Sequence, residues 1–192
     1  MNYQDYIWDL GGTLLDNYET STAAFVHTLQ DFGLTGSHDE VYKALKVSTD
    51  YAVRQFAPRN KEFLKAYKAN EAKELEHPIL FEGASELLAQ IIQQGGRNFL
   101  ISHRDDQVLE ILQKTQIALY FTEVVTAANG FKRKPDPESM LYLKDKYQIE
   151  SGLVIGDRPI DIEAGQAAGF SCYLFDNMKN LEEFVDIELE KE

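Results

Sequence analysis

Four short segments of the sequence combine acidic, basic and hydroxyl side chains with glycine or proline. They read WDLGGT at 8–13, ISHR at 101–104, FKRKPDP at 131–137 and IGDRPID at 155–161. Asp9 and Asp157 would repel each other at adjacent positions unless a cation lay between them, and carboxylate oxygens suit Mg²⁺. Ser102 and Lys134 provide a hydroxyl group and a positive charge, which can hold a phosphoryl group. The residue types therefore indicate Mg²⁺-assisted phosphoryl chemistry, with an aspartate able to attack the phosphorus.

An alternation of strands and helices would position these segments. Continuous apolar runs predict buried strands at 6–10, 98–102, 123–127, 153–156 and 172–175. Helical spacing and capping residues predict helices at 84–94, at 105–115, from Asp136 and Pro137 onward, and at 159–168. The alternation predicts an α/β fold, a Rossmann-like parallel sheet with helices on both faces. Ligands bind at the carboxyl ends of the strands in such sheets, where the chemical segments lie.

The segment 17–77 interrupts this alternation with helical patterns only. They cover 21–32, 39–47, 49–56 and 61–75. Four helices are too many for one crossover connection, although they would alternatively belong to the layers over the sheet. We therefore expect a small all-helical cap at 17–77, inserted after the first strand, and an α/β core made of 1–16 and 78–192.

The charge balance restricts the classes of partner. The chain has 32 acidic and 19 basic residues and a formal net charge of −13. Nucleic-acid binding needs clustered positive charge, so we expect no nucleic-acid partner. A small phosphorylated metabolite stays compatible with this charge, because a few local cations can dominate a pocket.

The cellular location is expected to be cytoplasmic. Cys172 is the only cysteine, so no intrachain disulfide can form and a reducing compartment is the default. The N-terminus has no basic segment followed by an apolar stretch, and no apolar run approaches the ~20 residues that span a bilayer. We expect a monomer or homodimer without a membrane partner.

The four segments resemble, in order and separation, the four motifs of the haloacid dehalogenase-like hydrolase superfamily. The resemblance extends from Tyr6 to Gly169 and includes LFEG at 80–83 and AGQAAG at 164–169. A helical insertion after the first motif is similar to that of the small-cap branch, which includes phosphoglycolate phosphatases and phosphoglucomutases. Each motif alone is weak, whereas four in the right order are a specific signal.

The resemblance implies a role for each matching residue. Asp9 would be the nucleophile and a Mg²⁺ ligand, together with the backbone carbonyl of Gly11 and the carboxylate of Asp157. Asp161 would contact the metal ligands or the lysine without binding the metal. The residues implied to act in catalysis are Asp9, Ser102 and Lys134. Those implied to bind phosphate are Leu10, Gly11, Ser102, His103 and Lys134. Without the resemblance, Asp157 or Asp161 would simply cap the helix near Pro159, and Lys134 would be a solvated loop charge.

Gly11 departs from the family pattern. Family phosphatases have a second aspartate at this position, which protonates the leaving group and then activates water. Such acid–base catalysis is typically worth ~10²–10⁴-fold in rate. A backbone carbonyl at Gly11 would still bind the metal. The resemblance thus implies a Mg²⁺-dependent phosphatase that acts on a small phosphorylated metabolite through an aspartyl phosphate, slowed by this loss.

Other interpretations stay open. A phosphatase would act slowly, or on activated leaving groups, or borrow an acid such as His103 or a cap residue. A catalytically weak relative would bind a phosphorylated ligand or a protein partner. A carbon–phosphorus hydrolase, which is less favoured, would have a small residue at position 11 and a Schiff-base lysine in the cap. The cap lysines available for that role are Lys43, Lys46, Lys65 and Lys68. Dehalogenase chemistry is least favoured, because those relatives need no metal.

Overall fold

The parallel sheet is at the centre of the α/β fold. The computed structural model describes residues 3–74, 76–104 and 107–189 of the chain. The strands in these ranges are β1 (Asp5–Trp8), β2 (Arg97–Ile101), β3 (Phe121–Val125), β4 (Gly152–Gly156) and β5 (Ser171–Leu174). All neighbouring strands pair in parallel, in the order β3-β2-β1-β4-β5. The first strand of the chain is thus the middle strand of the sheet.

Helices account for most of the remaining described residues. They are α1 (Asn17–Asp31), α2 (His38–Val47), α3 (Thr49–Phe56), α4 (Phe63–Glu74), α5 (Ala84–Gln93), α6 (Gln107–Lys114), α7 (Glu138–Tyr147), α8 (Pro159–Ala167) and α9 (Met178–Leu189). Short 3-10 helices occupy Ala118–Tyr120 and Ala127–Asn129. None of the helices in the described part of the chain is long and apolar enough to cross a membrane.

Both faces of the sheet are covered, which confirms the predicted α/β class. Tyr6 and Trp8 on β1 lie in an apolar cluster with residues of α5, α6 and α9. Ile7, between them, belongs to a second cluster that includes residues of α7 and α8. Alternating residues of a strand point to opposite faces, so β1 is buried from both sides. The Trp8 indole N–H donates to the Asn98 Oδ1 at 2.9 Å, which satisfies both groups inside the core.

The chain divides into two compact units, Asp16–Ile79 and the remainder. We call the first the helical unit and the second the core unit. The helical unit contains α1–α4 and has its own apolar core, in which the Phe25 ring packs edge-on against Phe63 and Tyr67. The Asp16 N–H donates to the Ile79 carbonyl at 2.9 Å, so the two ends of the helical unit are hydrogen-bonded to each other.

Several predicted boundaries were wrong by a few residues. Predicted strands 6–10 and 98–102 end earlier, at Trp8 and Ile101. Leu10 is buried without being in a strand, because its carbonyl instead accepts hydrogen bonds from the N–H groups of a tight turn. Helix α1 begins at Asn17 rather than at 21, since the Asp16 side chain caps it by accepting from the Glu19 N–H at 3.0 Å.

The start of α7 also differs from the prediction. Pro137 occupies the N-cap position, and the helix begins at Glu138. Asp136 still contributes, because its Oδ1 accepts a hydrogen bond from the Glu138 N–H at 3.0 Å. The predicted ends of two helices, at residues 75 and 105, lie outside the described residues, as do residues 1–2 and 190–192 of the predicted core.

Candidate active site

The predicted site residues follow three adjacent strands at one edge of the sheet. Trp8 at the end of β1 pairs with Leu100 of β2 and Ile155 of β4. Asp9 continues β1 by donating its N–H to the Ile155 carbonyl at 2.9 Å, and Ser102 continues β2 with a bond to the Val125 carbonyl at 2.9 Å. Asp157 directly follows β4. The topology therefore brings the first, second and fourth motifs to one edge of the sheet.

Lys134 extends from the third motif into this edge and is buried. Its Nζ donates to the Asp9 Oδ1 at 2.6 Å and to the Ile101 carbonyl at 3.4 Å, and it forms an ion pair with Asp161. The Lys134 side chain is only 1 % exposed. A buried ammonium needs such partners to offset its lost hydration. Lys134 is thus part of the site and not a solvated loop charge.

Three carboxylates crowd around this one ammonium. One oxygen from each of Asp9, Asp157 and Asp161 lies within 4.8 Å of the others. Burial, followed by the charges of Asp9 and Asp161, raises the pKa of Asp157 to about 6. Burial also raises the pKa of Asp9, although Lys134 opposes the change. Among the described residues, the buried Asp157 Oδ1 has no hydrogen-bond donor. The cluster therefore has excess negative charge and an unsatisfied oxygen, which a cation would relieve.

The glycine pair after Asp9 fits the same arrangement. The turn's backbone hydrogen bonds use the Leu10 carbonyl and the Gly12 N–H, and none in the described chain engages the Gly11 carbonyl. Gly12 has a φ of 87°, which side-chain-bearing residues rarely adopt. A Cβ at Gly12 would also lie 2.8 Å from the Asp157 Cγ. Glycine at position 12 therefore allows Asp157 to approach the turn.

Asp161 both caps α8 and supports the lysine. Its Oδ2 accepts a hydrogen bond from the Arg158 N–H at 3.2 Å, while its Oδ1 faces the Lys134 ammonium. That oxygen accepts no hydrogen bond from the described residues, but its closeness to Nζ makes it an ionic partner of the lysine. A Cβ at Gly156 would lie 2.6 Å from the Asp161 Cγ, so the missing side chain at 156 makes room for this carboxylate. The sequence did not indicate this dependence.

Ser102 and His103 are arranged around the same lysine loop. Ser102 is buried, and its Oγ accepts from the Arg104 N–H at 3.3 Å. The His103 Nε2 accepts a hydrogen bond from the Lys134 N–H at 2.7 Å. Burial, with the charges of Lys134, Arg133 and Arg158, lowers the pKa of His103 to about 4. With this pKa the ring is neutral near pH 7, and its Nε2 accepts the Lys134 N–H and so has no proton to donate.

The Thr13 hydroxyl, inside the first motif, is a feature of the site that the sequence pattern did not indicate. It is buried and has no hydrogen-bond partner among the described residues.

Two of the candidate Schiff-base lysines make local contacts in the helical unit. Lys68 pairs with Glu71 at 2.7 Å, and the Lys46 Nζ lies 5.0 Å from the Tyr42 ring centroid. Neither contact identifies a Schiff-base lysine.

Comparison with known proteins agrees with the motifs. A sequence model described as haloacid dehalogenase-like hydrolase matches residues 6–175. Phosphoglycolate phosphatase from Aliivibrio fischeri is 28% identical over 189 residues, which cover 88% of this chain and 81% of the relative. Pyrophosphatase PpaX from Oceanobacillus iheyensis is 25% identical over 179 residues, which cover 88% and 81% respectively.

Solved structures show the same fold. The crystal structure of a hydrolase from Streptococcus pneumoniae TIGR4 is 70% identical to this chain and superposes with a TM-score of 0.93. The match covers 97% of this chain and 100% of that one. A haloacid dehalogenase-superfamily hydrolase from Geobacter sulfurreducens, at 21% identity, superposes with a TM-score of 0.72 over 97% of this chain and 96% of its own. The second likeness concerns the fold alone.

Proposed function

Because this chain belongs to the haloacid dehalogenase-like hydrolase family, we propose that it is a Mg²⁺-dependent phosphatase of a small phosphorylated metabolite. The observation that supports this most is the buried pair of Lys134 and Asp9 beside Asp157, whose Oδ1 lacks a donor among the described residues. The names of relatives from A. fischeri and O. iheyensis also denote phosphatases.

The donor set fits Mg²⁺. Asp9, Asp157 and the Gly11 carbonyl would hold it, and all three offer the oxygen ligands that this hard cation prefers. Asp161 is occupied by Lys134 and the Arg158 N–H, so we assign it to supporting the lysine. When bound, Mg²⁺ would withdraw negative charge from the phosphoryl oxygens.

Asp9 would act as the nucleophile. Lys134 engages its Oδ1, whereas no described residue donates a hydrogen bond to its Oδ2. Attack by Asp9 forms a bond to phosphorus while the bond from phosphorus to the leaving oxygen breaks, and that oxygen departs as an anion or takes a proton from water. Water then attacks the phosphorus of the aspartyl phosphate, which releases inorganic phosphate and regenerates Asp9. Ser102 and Lys134 would hold the phosphoryl oxygens during both steps, with Leu10, Gly11 and His103 contributing backbone groups of the same loops.

The missing acid at Gly11 predicts a preference among substrates. A poor leaving group such as an alkoxide needs a proton as it departs, whereas phosphate or p-nitrophenolate is stable as an anion. The neutral His103 ring does not supply that proton. We therefore expect anhydrides and activated esters to be hydrolysed faster than simple alkyl phosphates.

A substrate panel tests the proposal. Purified protein with Mg²⁺ is offered p-nitrophenyl phosphate, pyrophosphate, phosphoglycolate and glycerol phosphate, and released phosphate is measured. Turnover should require Mg²⁺, disappear in Asp9→Asn, and pass through a phosphate adduct on Asp9 that is detectable by mass spectrometry. Turnover that survives in Asp9→Asn would contradict the mechanism.

The absence of a carboxyl at Gly11 also favours a second candidate, a protein that binds a phosphorylated ligand without hydrolysing it. In that case a phosphorylated metabolite should raise the melting temperature, because it binds only the folded state. Binding of this kind without turnover or an Asp9 adduct would favour the second candidate.

A further inference from the structure

Lys134 must be held in place although its backbone belongs to neither strand nor helix. It lies in the connection between the 3-10 helix Ala127–Asn129 and α7. Its long side chain has many rotamers, yet the ammonium has to meet both Asp9 and Asp161. A lysine can hold two buried carboxylates only if its own backbone is fixed, so some other element has to position this loop.

The loop after β2 supplies that support at two points. The His103 Nε2 accepts a hydrogen bond from the Lys134 N–H at 2.7 Å, and the Arg104 carbonyl accepts one from the Ala127 N–H at 2.8 Å. The first bond acts on the lysine itself, since it fixes the peptide group from which the side chain extends. A ring nitrogen that accepts must be unprotonated, so His103 has its hydrogen on Nδ1.

The charges around the ring favour this acceptor state. Lys134, Arg133 and Arg158 surround His103 with positive charge, and Asp161 opposes them. Burial and, after it, these three positive charges lower the pKa of His103 to about 4. The accepting form therefore persists through the pH range in which a phosphatase would work.

We propose that His103 is a positioning residue: its Nε2 accepts the Lys134 N–H and so sets the lysine ammonium against Asp9 and Asp161, where it would meet the phosphoryl group. This inference rests on the proposed function for the phosphoryl group, but the hydrogen bond can be tested without it. His103 itself transfers no proton in this scheme.

Two substitutions separate the acceptor from the bulk of the ring. His103→Gln places an amide oxygen where it can accept the same N–H, and His103→Leu fills the space without an acceptor. Loss of one such bond should weaken orthovanadate binding about 3- to 10-fold in His103→Leu. His103→Gln should remain close to the wild type, as should His27→Leu, an exposed histidine on α1 that serves as the control.

Two NMR measurements test the bond directly. Amide hydrogen exchange at Lys134 should be slow in the wild type and His103→Gln and faster in His103→Leu. The ¹⁵N shifts of His103 in the wild type should show hydrogen on Nδ1 and none on Nε2. The second measurement needs no variant, so it shows whether Nε2 can accept the Lys134 N–H even if His103→Leu does not fold.

Each outcome has a distinct meaning. Unchanged Lys134 exchange and vanadate affinity in His103→Leu would overturn the proposal, as would hydrogen on Nε2 in the wild type. Equal losses in His103→Gln and His103→Leu would also overturn it, because ring packing would then be responsible. If the wild type neither binds vanadate nor hydrolyses any ester while the NMR results hold, the proposed function fails and the hydrogen bond stands.

Discussion

Gly156→Ala should weaken anion binding at the site because it displaces Asp161, a residue that does not itself react. The new Cβ would lie 2.6 Å from the Asp161 Cγ and 2.7 Å from its Oδ2, so Asp161 must move. Overpacking a well-filled core by one methyl group typically lowers the free energy of unfolding by about 1–3 kcal/mol. For a chain of this size, that loss lowers the melting temperature by about 2–12 °C. The displaced carboxylate would leave the Lys134 ammonium with a weaker set of partners.

Gly165→Ala is a matched steric control. Gly165 lies on α8, as Asp161 does, and its new Cβ would lie 2.6 Å from the Cys172 Sγ and 3.0 Å from the Val154 Cβ. Neither contact involves a partner of Lys134. We expect a similar loss of stability in both variants. Only Gly156→Ala should weaken orthovanadate binding, by about 10-fold or more, because the buried ionic partner of the lysine is displaced.

Isothermal titration calorimetry with vanadate measures the affinity, and thermal melting measures the stability, so the two effects are measured separately. Asp161→Asn provides a third comparison, since it removes the charge beside Lys134 but keeps an oxygen for the Arg158 N–H. It should reproduce the loss of vanadate affinity with less steric destabilisation. Equal vanadate affinity in Gly156→Ala, Gly165→Ala and the wild type would refute the reasoning that Asp161 supports the lysine.

Three further predictions concern the catalytic group, the metal and pH. Gly11→Asp should raise turnover by up to ~10²–10⁴-fold on alkyl phosphates and less on p-nitrophenyl phosphate, and steady-state kinetics that show no gain in a folded variant would contradict a missing acid. Mg²⁺ should raise the wild-type melting temperature, and Asp157→Asn should reduce that increase; an equal increase in both would place the metal elsewhere. His103 binds a proton more weakly folded, with a pKa of about 4 against 6.5, so the unfolded chain takes up more protons between these values. Stability in urea should therefore fall as pH decreases from about 6.5 to about 4, at most ~1.4 kcal/mol per pH unit from this group, and a slope that His103→Gln leaves unchanged would assign it to other residues.

The strands were predictable because each is a short apolar run covered on both faces. Their ends were less predictable, since burial alone does not distinguish a strand from the turn after it. Leu10 is fully buried, yet its carbonyl closes the turn that carries the two glycines. The start of α1 depended on a single capping side chain, Asp16, within a polar stretch that has little helical periodicity.

The site was predictable in its members and less so in its connections. Strand order places Asp9, Ser102 and Asp157 at one edge, and a motif pattern can indicate that. Which side chain accepts the Lys134 N–H depends on the path of two loops, for which the sequence contains no period or spacing rule. The dependence of Asp161 on Gly156 is equally hidden, because a missing side chain leaves no sign of what occupies its space.

The hydrogen bond between the Asp16 N–H and the Ile79 carbonyl has a consequence for how the chain folds. Strand β1 must pair with β2 and β4, which follow it only after the whole helical unit. Closing a flexible loop loses entropy that grows with the logarithm of loop length, by ~0.6 kcal/mol for each doubling. A helical unit that has already formed holds its two ends together, so β1 then closes what is effectively a short connection. Formation of the sheet should therefore become slower when the helical unit is destabilised, even though no strand residue has changed.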